Sequence, residues 1–123
     1  MATVALVAMV PDLEELLTEV LRDASYQVHA LPLRGDTVSL LSALRLDAVL
    51  VDGYPYTDLP AILKALRDQE ATKHLPAVVV TTRQRTDLDA FAPVELVEMP
   101  FDLSEFLTVV RRAAGSDRLS TAL

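Results

Sequence analysis

The chain has 123 residues, no cysteine and a formal net charge of −7. That length fits one domain burying roughly 65–70% of its unfolded surface, and a 51% apolar content argues against disorder over most of it. Cysteine-free composition excludes disulfides and thiolate metal sites and suits a cytoplasmic protein. No apolar run approaches the ~20 residues of a membrane helix, and the negative charge disfavours direct nucleic-acid binding.

The start, Met1–Val7, lacks the basic flank of a signal peptide and reads as part of a first strand. Val4–Val10 is a short apolar run with β-branched residues, suited to a strand buried on both faces. Pro11 and Asp12 open a helix in which Leu13, Leu16, Leu17, Val20 and Leu21 recur at helical spacing. Glu14, Glu15 and Glu19 take its outer face, two of them near the start, where the helix dipole favours negative charge. Tyr26–Leu31 reads as a second strand broken by Pro32 and Gly35. Asp36 is placed to cap a short helix carrying Val38, Leu41 and Leu44.

Ala48–Val51 is a third strand ending at Asp52. After a loop over Gly53–Pro60, Leu59, Ile62, Leu63 and Leu66 mark a helix predicted to end near Lys73. Ala77–Thr81 is a fourth strand, Gln84–Ala92 a brief charged helical piece, and Val94–Val97 a fifth strand. Asp102 with Glu105 forms a capping-box-like pair ahead of Leu103, Phe106, Leu107 and Val110. Arg111 and Arg112 suit the last turn, Gly115 a stop. The domain is thus expected over 1–115, with 116–123 a frayed tail or the start of a linker.

Strands alternating with helical segments predict an α/β fold, a parallel sheet with helices on both faces. Right-handed crossovers favour a doubly wound, flavodoxin-like order 2-1-3-4-5. In that order the ends of the first and third strands flank the switch point where such folds bind ligands. Ala8, Met9 and Asp52 are therefore expected in one crevice.

An acid at the third strand end, a hydroxyl at the fourth and Met99-Pro100-Phe101-Asp102 after the fifth together resemble the receiver domain of a bacterial response regulator. Pro11-Asp12-Leu13 resembles the opening of that family's first helix. The resemblance spans about residues 3–114. It implies that Asp52 matches the phospho-acceptor and Thr81 the hydroxyl that contacts the phosphoryl group. The family's paired metal-binding acids then fall on Ala8 and Met9, its lysine on Met99 and its switch aromatic on Leu96. Magnesium prefers oxygen ligands in near-octahedral geometry and gains little from methyl or thioether groups. Phosphoryl transfer depends largely on positioning and charge stabilisation, which these replacements remove. The interval from Thr81 to Met99 is also about one helical turn shorter than the family habit, which implies a truncated fourth helix.

Other residues carry weaker signals. Met9 and Met99 read as soft packing over the crevice. His29 and His74 have no partner at ligand spacing, and Glu95 and Glu98 lie near the lysine-equivalent position. No nucleophile elbow, dinucleotide fingerprint or P-loop occurs, and three glycines leave no Gly-rich phosphate cradle. The expected function is a degenerate receiver, not an enzyme, without metal or other cofactor. It would act through a protein partner or self-association, including a homodimer, in two-component signalling. Tyr54 and Tyr56, around Pro55 in the loop after Asp52, are the candidate interface. One alternative keeps Asp52 phosphorylated in a phosphorelay. Another is a small enzyme or cofactor binder using the switch point, with the two tyrosines its only sequence hint.

Overall fold

The computed structural model describes residues 2–8, 11–32, 36–52, 59–81 and 91–115. Within them the elements run β1 (Thr3–Ala8), α1 (Pro11–Asp23), β2 (Gln27–Pro32), α2 (Thr37–Ser42), β3 (Ala48–Asp52), α3 (Leu59–Asp68), β4 (Ala77–Thr81), β5 (Val94–Glu98) and α4 (Leu103–Ala113). The strands form one sheet in the order β2-β1-β3-β4-β5, with every neighbouring pair parallel. This is the flavodoxin-like, doubly wound arrangement that the sequence predicts.

Strand alternation sends successive side chains to opposite faces. Val4, Leu6, Leu50, Val78 and Val80 pack with Leu17 and Leu21 of α1 and with Phe106 and Val110 of α4. Ala5, Val7, Val49, Val51 and Val79 pack instead with Leu41 of α2 and with Leu63 and Leu66 of α3. Burial on both faces is why β1, β3 and β4 read as continuous apolar runs. Among the described residues Phe106 is the largest fully buried side chain, stabilising the fold by roughly 1.5–3 kcal/mol through burial alone. Its ring stacks on Phe101 at a centroid separation of 5.6 Å.

Several local expectations are corrected. The first strand begins at Thr3, and Pro32 closes β2 rather than breaking it. Proline is tolerated there because β2 is an edge strand, paired to β1 alone. Leu16 is 48% exposed. At 100° per residue it lies about a quarter-turn from the stripe made by Leu13, Leu17, Val20 and Leu21. Asp36 makes no side-chain cap bond to α2, and Leu44 lies beyond that helix. Leu103, the first residue of α4, is 45% exposed, while Val109 and Ala113 join the buried face.

The third helix ends at Asp68, about a turn before Lys73. Long-range hydrogen bonds organise the segment between α3 and β4. The Thr72 hydroxyl donates to the Leu66 carbonyl at 2.6 Å. Arg67 donates to the carbonyls of Thr72, Leu75, Phe91 and Pro93 at 3.1, 2.9, 2.7 and 2.9 Å. Burial lowers the Arg67 pKa, yet an arginine remains a cation under all ordinary conditions.

Helix ends elsewhere obey familiar capping chemistry. Asp102 caps α4 by accepting from the Glu105 N–H at 2.6 Å, and Gly115, at φ 86°, lies just past its end. After α1, Ser25 adopts φ 74°. The N–H groups of Ser25 and Tyr26 donate to the carbonyls of Arg22 and Leu21, each at 3.0 Å. This is the two-bond closure usually built around glycine.

Among the described residues no helix is long and apolar enough to cross a membrane. Expectations for Met9 and Val10, Gly35, the loop after Asp52 with Tyr54 and Tyr56, most of Gln84–Ala92, and 116–123 lie outside those residues.

Candidate functional site

The switch point is built from three strand ends. Valine-rich β3 is buried along its whole length, which carries Asp52 to the carboxyl edge of the sheet with only 1% of its surface exposed. Thr81 closes the adjacent β4 at 2% exposure, and Ala8 closes β1 at 4%. The register aligns Val7 with Val51 and Asp52 with Val80, so these ends lie side by side. Among the described residues, Asp52 is the one buried carboxylate.

Alternation sorts the groups between faces. Ala8 is part of the apolar cluster under α1 and α4, and Met99 packs half-buried against that same cluster. Asp52 follows Leu50 at a two-residue interval and takes this face. Thr81 follows Val79 at the same interval and takes the α2/α3 face, where Leu96 packs. Glu98 stands in register with Thr81 and is exposed. The Met99 N–H donates to the Thr81 carbonyl at 2.8 Å, tying the chain after β5 to the end of β4. The next peptide bond, Met99–Pro100, is cis.

The two acids of β5, Glu95 near its start and Glu98 at its end, have different surroundings. Glu95 accepts from Arg112 Nε at 2.7 Å, joining β5 to α4. The two partners are half-exposed, so the pair contributes at most about 1 kcal/mol. The sequence placed Arg112 near a helix dipole but carried no signal for this partner, which is 17 positions away. His29 and His74 are exposed. Among the described residues no three His, Asp or Glu side chains are grouped to hold a metal.

No family model matches the sequence, and no curated protein matches it. Solved structures do match the fold. The chemotaxis protein CheY4 of Vibrio cholerae is similar at a TM-score of 0.81 and 22% identity, covering 92% of this chain and 98% of that one. The receiver domain of a sensor histidine kinase from Pseudomonas aeruginosa, solved with magnesium coordinated in its active-site cleft, gives 0.79 and 22% over 93% and 98%. Response regulator TrrA of Thermotoga maritima, in a complex with magnesium and BeF, gives 0.78 and 22% over 92% and 99%. The chain folds as a receiver domain folds.

Proposed function

We propose that this chain is a degenerate receiver domain of the two-component kind, a cytoplasmic protein-interaction module that works without phosphorylation. The composition of the carboxyl edge carries the reading. Asp52 is its buried carboxylate, while Ala8 is packed into an apolar cluster and Met99 lies against that cluster. The side chains at the two acid positions, Ala8 and Met9, do not fit a magnesium cradle, because a methyl and a thioether offer a hard cation nothing to replace its water. Nor does Met99 supply the cation that would offset phosphoryl charge. With methionine at the lysine-equivalent position 99 and no second side-chain oxygen at positions 8 and 9, the module is read as non-enzymatic, passing information through its surface to a protein partner or a second copy. Its net charge of −7 directs it away from nucleic acid.

The alternative, a receiver still phosphorylated on Asp52, draws on the burial of Asp52 and Thr81 at adjacent strand ends. The two readings differ in one experiment. Sedimentation and partner capture are compared with and without a small acyl phosphate plus magnesium, in the native protein and in Asp52→Ala. The proposal expects identical association throughout; a phosphate-dependent change lost in Asp52→Ala would establish the alternative. Tyr54 and Tyr56 are the proposed contact residues. Replacing both by alanine is expected to weaken association by about 2 kcal/mol or more, the scale of an interface hot spot. Easier unfolding with unchanged binding would instead make the rings a cover over the crevice.

A further inference from the structure

Strand β2 forms an edge of the sheet and pairs with β1 alone. The Gln27 N–H donates to the Ala2 carbonyl, and alternate residues of a parallel strand turn both backbone groups to the same side. Gln27, His29 and Leu31 therefore face β1, while Val28 and Ala30 turn their N–H and C=O groups outward. Among the described residues these four groups have no hydrogen-bond partner. Such an edge is a template for one more strand. Pro32, which has no N–H, closes β2 and confines a ladder to the residues before it.

The surroundings of the edge select what can add to it. Helix α1 borders it, and an open groove between them is lined by Glu14, Glu15, Glu19, Arg22 and Asp23 of the helix and by Ala30 of the strand. Glu15 and Glu19 are exposed, and Glu14 and Ala30 are half-buried, so both the acids and the edge are within reach from outside. Arg22 and Asp23 offset each other in charge at one end, leaving three acids along the rest. Among the described residues no ion pair engages any of the three. Glu15 and Glu19 are four residues apart, about 6 Å along the helix axis. Side chains on one face of an extended strand repeat every two residues, about 6.6 Å, so alternate side chains of a strand beside β2 keep step with the two acids. A second copy meeting this edge antiparallel, about a two-fold axis through the sheet, would set its own acids against these.

We propose that the free edge of β2 takes up an extended basic segment of a partner protein, with lysine or arginine at alternate positions, as a sixth strand. The backbone ladder holds the segment, and the acids of α1 select it. The site goes beyond the signalling reading and stands whether or not Asp52 is phosphorylated.

The test uses the full chain and an acetylated, amidated hexapeptide that alternates lysine with threonine. Three control peptides share its length: one alternates glutamate with threonine, one carries its lysines in a block, and one is the alternating lysine peptide N-methylated at every residue. Calorimetry at low salt should give saturable binding of the alternating lysine peptide, weakened at least about fivefold by 0.5 M sodium chloride. The block peptide should bind about threefold more weakly or worse, and the glutamate and N-methylated peptides should not bind. Glu15→Gln combined with Glu19→Gln should weaken binding about fivefold. Ala30→Pro removes an outward N–H and no bond of the native sheet, so it should fold and lose binding at least about tenfold. Hydrogen exchange at the Val28 and Ala30 amides should slow when the peptide is bound. No binding of the alternating lysine peptide would overturn the proposal, as would undiminished binding by the double glutamine variant. Equal binding of the N-methylated peptide would overturn it by reducing the effect to bare charge attraction. Should Ala30→Pro fail to fold, that peptide and the Ala30 exchange rate decide alone. A dimer of the native chain with its Val28 and Ala30 amides protected would mean that a second copy, not a basic partner, holds the edge.

Discussion

Replacing Arg67 by methionine removes the four hydrogen bonds that join the end of α3 to the segment following it and to the distant segment before β5, while keeping most of the aliphatic stem. The carbonyls of Thr72 and Pro93 also accept from the N–H groups of Leu75 and Ala77, so their loss is small. Leu75 and Phe91 take Arg67 as donor at 2.9 and 2.7 Å. Each bond to a charged group is worth about 1.5–3 kcal/mol at full burial. Arg67 is half-buried, which places each near or below the lower end of that range. The expected loss is about 2–3 kcal/mol, or a melting temperature lowered by roughly 10 °C for a chain of this size. Arg67→Lys should recover less than half, because one ammonium cannot reach carbonyls in four directions. Urea unfolding measures the loss directly. The partners are neutral, so 1 M salt should leave the difference intact. A methionine variant within about 0.5 kcal/mol of the native protein, or a loss that salt erases, would refute the reasoning.

Asp102→Ala should cost about 1 kcal/mol in urea unfolding through loss of the α4 cap, and Asp102→Asn much less. Equal costs for the two would mean that charge rather than the cap bond matters. Ala8→Asp combined with Met9→Asp sets carboxylates beside Asp52 without a cation, in a position where Ala8 is 4% exposed. The expected destabilisation is about 3 kcal/mol without magnesium, with partial recovery when magnesium is added. Thermal unfolding indifferent to both changes would show that these residues do not share a crevice.

What the sequence revealed depended on the range of the interactions. Strand β4 was legible residue for residue, because a strand buried on both faces needs an unbroken apolar run and Ala77–Thr81 supplies one. Sheet order came from the alternation of strands and helices with right-handed crossovers. Helix faces were less legible: Leu16 and Leu103 fit the apolar spacing yet remain exposed, since spacing alone leaves the edge of a stripe unfixed. The end of α3 was not legible, because it is set by Arg67 reaching carbonyls 24 and 26 positions away. Ser25 gave no glycine to mark the turn after α1. At the candidate site, Asp52, Thr81 and Ala8 were legible as strand ends. The placement of Ala8 and Met99 against one cluster and Leu96 against the other requires the sheet itself.

The central claim is that Asp52 is not a working phospho-acceptor. Its most direct test is intact-protein mass spectrometry after incubation with a small acyl phosphate and millimolar magnesium, with Asp52→Ala in parallel. The account predicts the unmodified mass in both samples. A phosphoryl adduct on the native protein that is absent from Asp52→Ala would contradict it.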